Sequence, residues 1–391
     1  MFILEAPYVS NFLKQTILER QAPVLANAMA IKHLGCDTPG LCPTETFVRK
    51  AGTGDNLRIY SNSENAIDWI GTNLQQTGLP EKIALFKDKI RFRELIRDMD
   101  PDYFFRGVPF EELDSIDPSD IPKPFIIKPA VGFFSLGVHK VDTNADWPGT
   151  LAAIKNEVSR IQSQYPDQVL SLDRFIMEKC IEGKEFAVDV YFGNDGRPVI
   201  LNILGHLFAS AHDVSDRVYL TSATIIRTWL DRFTSYLDEI GTRAGLTNFP
   251  AHVELRVDEN GHIMAIEVNP MRFAGWCVAD LTFYAYGFNP YSYYLDGQKP
   301  DWETILKKRE GKVVGVVVAD VAANVDCSTI TRVDYEAFTA RFTKPLELRR
   351  IDVHEYPVFA FLFAEVPEDD LSEFKALLHS DLNEFLTIKG E

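Results

Sequence analysis

Several features that would assign this chain to a familiar class are missing from its sequence. None of its apolar runs reaches the roughly 18 uncharged residues that a membrane-spanning helix needs. Its start, MFILEAPYVSNFLK, has neither the basic region nor the cleavage site of a secretion signal. Its five cysteines form no CxxC pair and are odd in number, which is typical of reduced thiols. We therefore expect a cytoplasmic protein with no membrane partner.

An excess of basic residues is also missing. The 391 residues include 40 lysines and arginines against 57 aspartates and glutamates, a formal net charge of −17. General nucleic-acid binding depends on neutralising phosphates with basic side chains, so we expect no nucleic-acid partner. A bound anion such as a nucleotide would have to be held by a few local lysines or by a metal ion.

The common nucleotide and hydrolase motifs are absent as well. No G-x-x-x-x-G-K-[ST] phosphate loop occurs, and AGTGDN at 51–56 lacks the third glycine of a dinucleotide fingerprint. The segment GFFSLG at 132–137 has the spacing GxxSxG instead of the GxSxG of a nucleophile elbow. No histidine or cysteine spacing indicates zinc.

What the sequence does contain is an alternation of strand and helix patterns. Short apolar runs and an amphipathic segment at 63–79 predict a small α/β unit up to about residue 85. Turn signals at 194–197 and 259–261 each separate two alternating apolar runs, which predicts two antiparallel hairpins. An amphipathic stretch at 369–386 predicts a C-terminal helix. The fold class is therefore α/β or α+β.

The second hairpin, HVELRVDENGHIMAIEVNP, is the most informative stretch. It carries Glu254 on one strand and Glu267 on the other, with Asn269 on the same face as Glu267. Neighbouring strands lie about 4.8 Å apart, so the two carboxylates can face each other. Two carboxylates and an amide oxygen are ligands suited to Mg²⁺. An exposed acidic hairpin is the alternative, although the apolar neighbours of Glu267 argue against it.

A candidate phosphate loop follows the apolar strand FIIK. That strand ends in Lys128, and the loop after it is bounded by Gly132 and Gly137. Glycines let backbone amides approach an anion, and a lysine on a buried strand needs an anionic partner. A lysine at a sheet edge and an ordinary turn with Phe133 and Phe134 at its tip remain open alternatives.

A strand crossover, MEKCIEGKEFAVDV, lies between the loop and the second hairpin. The backbone from Glu178 to Ile181 can hydrogen-bond the edge of an adenine, and the carboxylate of Glu185 can accept ribose hydroxyls. Each signal is weak alone, and so is Lys89 in the helix pattern FKDKIRF. Their order along the chain is more informative.

The order of these motifs resembles the ATP-grasp superfamily over about residues 86 to 300. The first motif is a lysine at the start of a helix, and the second is a strand that ends in Lys-Pro and is followed by a glycine loop. The pattern E-x-x-x-x-G-x-E comes next, and the last motif is a hairpin that carries two glutamates and ends in E-x-N. The resemblance implies an α/β (α+β) fold with two ATP-grasp lobes. It implies a pre-ATP-grasp α/β domain at 1–85, nucleotide-binding and catalytic lobes at 86–310, and a C-terminal α/β subdomain at 311–391.

The resemblance also implies roles for individual residues. The implied nucleotide-binding residues are Lys89, Lys128, Gly132, Ser135, Gly137, Glu178, Lys179, Cys180, Ile181 and Glu185. The implied metal ligands are Glu254, Glu267 and Asn269. The expected catalytic residues are Lys128, Arg256, which shares the face of Glu254 on its strand, and Arg272, for which a structural salt bridge is the alternative. The family commonly has an arginine two residues after the asparagine, where this chain has Met271, with Arg272 one residue later.

The activity that the resemblance implies is an ATP- and Mg²⁺-dependent ligase. It would join a carboxylate to an amine, or a thiol, through an acyl phosphate and release ADP and phosphate. The expected cofactors are ATP and two Mg²⁺ ions, with Mn²⁺ able to substitute. The expected partners are small-molecule substrates of amino-acid or peptide-like kind, and a homodimer is left open. An ATP-dependent phosphotransferase and a non-catalytic nucleotide-binding regulatory protein are the alternatives.

Overall fold

The computed structural model of the protein describes residues 1–53, 57–132, 137–161, 171–209 and 216–389. Its helices are α1 (Asn11–Arg20), α2 (Ala28–Leu34), α3 (Thr44–Thr53), α4 (Ile67–Asn73), α5 (Leu79–Lys87), α6 (Lys89–Leu95), α7 (Trp147–Ile161), α8 (Ala223–Ala244), α9 (Leu281–Tyr286), α10 (Pro290–Asp296), α11 (Trp302–Lys307), α12 (Tyr335–Thr339) and α13 (Ser372–Leu378). Its strands are β1 (Phe2–Ile3), β2 (Val24–Leu25), β3 (Leu41–Cys42), β4 (Tyr60–Ser61), β5 (Phe105–Pro109), β6 (Phe125–Val131), β7 (His139–Val141), β8 (Ser171–Lys179), β9 (Lys184–Phe192), β10 (Pro198–Leu207), β11 (Val218–Ser222), β12 (Phe249–Val257), β13 (Ile263–Pro270), β14 (Lys312–Asp320), β15 (Ile330–Val333), β16 (Pro345–Arg350), β17 (Val358–Pro367) and β18 (Leu386–Ile388).

The N-terminal unit is built on a small parallel sheet in the order β3-β2-β1-β4. Phe2 on the central strand pairs with Val24 on one side and Tyr60 on the other, and all three side chains are buried. Helices α1 and α2 begin at side-chain caps, because Ser10 accepts from the amide of Leu13 and Asn27 from that of Ala30. This is the α/β unit that the sequence predicts.

A second, antiparallel sheet has the strand order β5-β8-β6-β7 and a core of its own. Alternate residues of β6, Phe125 and Ile127, point into that core, where they meet Phe175 and Met177 of β8 and Trp147 of α7. This sheet presents Lys128 and Glu178, the two charged side chains that it buries beside the nucleotide motifs.

The largest sheet has eight strands in the order β13-β12-β9-β10-β11-β14-β17-β16, and its pairs are antiparallel. Both predicted hairpins, β9–β10 and β12–β13, lie in it. The 22-residue helix α8 packs on β10, begins at the side-chain cap of Ser222 and ends at a left-handed Gly245. The observed mixture of helices with parallel and antiparallel sheets confirms the α/β (α+β) class.

The C-terminal stretch differs from its predicted single helix over 369–386. Helix α13 covers only Ser372–Leu378, and β18 pairs with β15. The chain turns between them because the Ser380 hydroxyl accepts from the amide of Leu382, a residue with a left-handed φ of 60°. Strands β14, β16 and β17 extend the large sheet across the proposed boundary at residue 310, and the domain limits remain proposals. Among the described residues, no helix has the length and apolar character needed to cross a membrane.

Gly183, in the turn between β8 and β9, provides a test of the local backbone. Its φ is +112°, and an added Cβ would lie 2.1 Å from the carbonyl oxygen of Val257. We expect Gly183→Ala to lower the free energy of unfolding by roughly 2–4 kcal/mol in denaturant titrations. Gly149→Ala, in α7 with nothing within 4 Å, is the control. Equal unfolding midpoints for the two variants would contradict this explanation.

Candidate active site

The three predicted metal ligands lie together on one face of the β12–β13 hairpin. Glu254 pairs directly with Glu267, and His252 pairs with Asn269. The side-chain amide of Asn269 donates to Glu254 Oε1 at 3.3 Å and to Glu267 Oε1 at 3.0 Å. Rotation of this amide by 180° would turn its oxygen toward the space between the carboxylates.

The electrostatics of these carboxylates fit a cation. Burial raises the pKa of Glu254 well above its usual value, and the charge of Glu267 raises it further. Burial would also raise the pKa of Glu267, but the cations of Lys89 and Lys87 outweigh it and lower that pKa. No group of three or more His, Cys, Asp or Glu suited to a metal occurs within the described ranges. A metal here would thus depend on two carboxylates, the amide oxygen and external ligands.

Lys89 connects three of the predicted motifs. It is the first residue of α6, which the carboxylate of Asp88 caps by accepting from two backbone amides. Its ammonium group lies 3.2 Å from the carbonyl oxygen of Gly132 and 3.8 Å from Glu267 Oε2. Burial lowers the pKa of Lys89 to about 8. The helix start, the first glycine of the loop and the β12–β13 hairpin, in which the predicted metal ligands lie and which is called the metal hairpin below, therefore meet at one cation.

The glycine loop itself is described only at its ends. Gly137 has a left-handed φ of 72° and packs against Pro129, where an added Cβ would come within 3.1 Å. Ser135, Phe133 and Phe134 lie outside the described residues, so the predicted role of Ser135 remains a prediction.

Lys128 is buried against Glu178. Ile126 pairs with Glu178, so Lys128, two residues along β6, lies diagonally across from it on the same face. The Lys128 ammonium is 2.7 Å from Glu178 Oε1, and the Arg93 Nε is 2.6 Å from Glu178 Oε2. Burial alone would raise the pKa of Glu178, but the two cations lower it to about 2. The sequence predicted the backbone of Glu178 as functional and missed this role of its carboxylate.

Arg256 lies at the predicted adenine hinge. Its guanidinium donates to Glu185 Oε2 at 2.8 and 3.0 Å and to the carbonyl oxygen of Ile181 at 2.6 Å. The ring of His206 approaches the other oxygen of Glu185 at 3.3 Å. These contacts orient the predicted ribose carboxylate, so Arg256 is better suited to hold the hinge than to reach a phosphate.

The backbone of the hinge is held from both sides. The amide of Cys180 donates to the carbonyl oxygen of Pro124 at 3.2 Å. The Tyr103 hydroxyl donates to the carbonyl oxygen of Lys179 at 2.8 Å. Together with the bond from Arg256 to Ile181, these contacts tie the hinge to both neighbouring sheets.

Arg272 is held by Glu64, a residue of the N-terminal unit. Its Nε and Nη2 lie 3.3 and 3.1 Å from Glu64 Oε1, and its Nη1 donates to the carbonyl oxygen of Phe273 at 3.0 Å. Lys87 occupies the other oxygen of Glu64 at 2.5 Å. A guanidinium has five N–H groups, so two remain for a ligand. The two cations outweigh the effect of burial and lower the pKa of Glu64 to about 2.

A buried pair also anchors the segment that follows the β12–β13 hairpin. Asp189 Oδ1 lies 2.8 Å from Nδ1 of His252 and accepts from the amide of Ala274 at 2.7 Å. Sequence reasoning missed Glu64, Lys87, Arg93, Asp189 and His252 in the site. The i, i+4 spacing of Lys89 and Arg93 on one helix was the one local signal available.

Comparisons with known proteins identify a similar domain and similar folds. Residues 121–280 match the family model of the ATP-grasp domain. No curated protein matches the sequence. The solved L-amino acid ligase from Bacillus licheniformis is 15% identical with a TM-score of 0.67, covering 100% of this chain and 98% of that one. The N5-carboxyaminoimidazole ribonucleotide synthetase from Thermotoga maritima is 11% identical with a TM-score of 0.65, covering 100% and 99%.

A third structure carries ligands. It is the dimeric biotin carboxylase domain of the 2-oxoglutarate carboxylase from Hydrogenobacter thermophilus, in complex with MgADP, ADP and bicarbonate. It is 14% identical with a TM-score of 0.62, covering 99% of this chain and 90% of that one. At these identities the likeness shows a shared fold.

Glu178 provides a test of the buried charges. Its carboxyl has an ordinary pKa of 4.5 and a pKa of about 2 in the fold, so its ionised form stabilises the protein above pH 4.5. That contribution, about 3 kcal/mol at about 1.4 kcal/mol per pKa unit, is lost as the pH falls toward 2. We expect Glu178→Gln to lower the free energy of unfolding at pH 7 by about this amount and to flatten the loss in acid.

The control is Glu94→Gln on the exposed side of α6, where the partner is Arg97. We expect it to change stability by less than about 0.5 kcal/mol. Chemical denaturation at a series of pH values measures both variants. An unchanged acid profile in Glu178→Gln would contradict the proposed stabilising role of this carboxylate.

Proposed function

We propose that this chain is an ATP-grasp enzyme, an ATP- and Mg²⁺-dependent ligase that joins a carboxylate to an amine, because residues 121–280 match the ATP-grasp domain model and the fold is shared with a solved L-amino acid ligase. The contacts of Lys89 carry the proposal, since one cation meets both the glycine loop and the carboxylate hairpin. The structural likeness to an L-amino acid ligase supports an amino-acid or peptide-like substrate. The MgADP of the related biotin carboxylase domain supports a nucleotide with magnesium.

The cations of the site suit the phosphates of ATP. We assign Lys89 and Lys128 to the phosphates, because Lys89 meets the start of the glycine loop at Gly132 and Lys128 lies on β6, the strand that leads into that loop. Glu254, Glu267 and Asn269 would hold Mg²⁺, which, when bound, would supply positive charge that offsets the charge of the phosphates. The hinge and Glu185 would bind the nucleoside.

The proposed reaction has two steps. A carboxylate oxygen of the substrate forms a bond to the γ-phosphorus as the bond from phosphorus to the ADP oxygen breaks, which gives an acyl phosphate. The amine nitrogen then bonds to the acyl carbon, phosphate leaves with the electrons of the carbon–oxygen bond, and the nitrogen loses a proton. Arg272, with two N–H groups left, is suited to bind the acyl phosphate.

The metal content, the cellular compartment and the oligomeric state also belong to the proposed function. Two Mg²⁺ ions, or Mn²⁺ in their place, would serve the site. The five cysteines are free thiols, which supports a reducing, cytoplasmic compartment. A homodimer is worth testing because the related biotin carboxylase domain is a dimer.

Product analysis separates the candidate functions. The protein is incubated with Mg-ATP and a pool of amino acids and small carboxylates, and the products are identified by mass spectrometry. A new amide together with ADP and phosphate supports the ligase, and a thioester would indicate a thiol acceptor. A phosphorylated acceptor would indicate a phosphotransferase, and AMP with pyrophosphate would contradict the acyl-phosphate route.

The metal hairpin is tested by Glu267→Gln. We expect Mg²⁺-dependent ATP binding, measured by calorimetry, to weaken about 10-fold or more, because the variant loses a charged ligand. Glu259→Gln, on the exposed turn of the same hairpin, is the matched control and should bind as the wild type does. Unchanged affinity in Glu267→Gln would refute the assignment of the metal site.

Arg272 is tested by Arg272→Lys, which keeps the charge and removes the planar fork. We expect kcat to fall about 100-fold with little change in the affinity for ATP, since the guanidinium is assigned to the transferred phosphoryl group. Arg243→Lys, an exposed arginine of α8 paired with Glu239, is the control. A loss of ATP affinity with kcat preserved would contradict the assignment.

A further inference from the structure

Arg93 is a buried cation whose three contact groups lie in two different sheets. Its side chain is 2% exposed, and it belongs to α6, four residues after Lys89 and therefore on the same face of the helix. Its Nε binds Glu178 of β8 at 2.6 Å. Its Nη1 and Nη2 donate to the carbonyl oxygens of Ala265 and Ile266 on β13, at 2.6 and 3.2 Å.

The two carbonyl groups belong to a β-bulge beside the metal hairpin's second carboxylate. Glu254 pairs with Glu267 and Leu255 pairs with Ala265, so Ile266 is an extra residue on β13. A bulge bends its strand and redirects the neighbouring side chains, and its backbone groups have lost their regular partners. The bulge is what allows Glu267 to face Glu254, and Arg93 supplies donors to its carbonyl groups.

Arg93 also affects Lys128, the lysine assigned to the phosphates, because both residues bind the carboxylate of Glu178. Glu178 has one oxygen on Arg93 and the other on Lys128, at 2.6 and 2.7 Å. Its position between two cations keeps the carboxylate from turning toward either one alone. A single guanidinium thus contacts the bulge next to Glu267 and, through Glu178, sets the place of Lys128.

We propose that Arg93 is a positioning residue that couples the metal ligand Glu267 on β13 to the phosphate lysine Lys128 on β6. The inference rests on the proposed Mg-ATP site and adds a residue outside the motifs that define it. In this proposal Arg93 contacts neither the metal ion nor the nucleotide. It holds Glu267 and Lys128, the two residues assigned to the metal and the phosphates, at a fixed distance from each other across the two sheets. A lysine cannot do this, because it lacks the planar guanidinium whose three nitrogens donate in different directions.

The test is Arg93→Lys in the full chain, with Mn²⁺ and ADP as probes. Mn²⁺ binding in the presence of ADP is followed by electron paramagnetic resonance, and ADP binding without metal by calorimetry. We expect the Kd for Mn²⁺ to rise about 10- to 100-fold, the effect typical of losing a partner that orients a metal ligand. The affinity for metal-free ADP should fall as well, since Lys128 is no longer held.

A matched control separates positioning from general stability. Arg349 on β16 is another buried arginine in an ion pair, 2.5 Å from the buried Asp280. Within the described residues its other hydrogen bonds go to Glu347 and Tyr284, outside the nucleotide motifs. Arg349→Lys should lower the melting temperature to a similar degree and leave both affinities unchanged. If Arg93→Lys shifts the two affinities no more than Arg349→Lys does, the inference is wrong.

A second variant covers the case in which Arg93→Lys fails to fold. Arg93→Met with Glu178→Gln removes both buried charges and leaves an amide oxygen for Lys128, and such neutral replacements are often tolerated. The folded double variant should show the same rise in the Kd for Mn²⁺, and wild-type affinity in it would overturn the inference. Absence of Mn²⁺–ADP binding in the wild type would instead refute the proposed function and, with it, the inference.

Discussion

The register of the β12–β13 hairpin is the constraint on which the rest of the site depends. A slip of one residue would turn Glu254 or Glu267 to the opposite face of the sheet. The bulge at Ile266 sets the register between them, and the direct pairing of the two carboxylates follows from it. Lys89 can meet Glu267 only because this pairing places that side chain toward α6. The position of the β12–β13 hairpin therefore decides which carboxylate Lys89 meets.

Charge compensation is the second principle of the site. The chain carries a net charge of −17, yet its buried carboxylates are each held by cations or by an amide. Glu64 lies between Lys87 and Arg272, and Glu178 lies between Arg93 and Lys128. In both triads one carboxylate orients two cations, so removing it would leave buried positive charge without a partner. Glu254 differs in that its donor is the uncharged amide of Asn269, and burial together with the charge of Glu267 raises its pKa.

Whether a feature could be predicted from the sequence depended on how far apart along the chain its interacting residues lie. The β12–β13 hairpin was predictable because its turn and its alternation are local, and the ExN order adds chemistry to the same few residues. The contacts of Glu64 and Arg93 were not predictable, since their partners lie 208 and 85 residues away along the chain. The helix predicted over 369–386 was wrong beyond Leu378, because serine and aspartate side chains bind nearby amides and favour a turn there.

The one-residue offset of Arg272 has a structural counterpart in Met271. Met271 has a left-handed φ of 67°, which is costly for a residue with a side chain. Two backbone hydrogen bonds hold it there, from its amide to Pro250 and from the Ser61 amide to its carbonyl oxygen, both 2.8 Å. The left-handed residue follows directly after β13, which ends at Pro270, and the next side chain, Arg272, meets Glu64. Met271 thus places the later arginine beside the β12–β13 hairpin, and Ser61, on a strand of the N-terminal unit, holds the backbone of Met271 there.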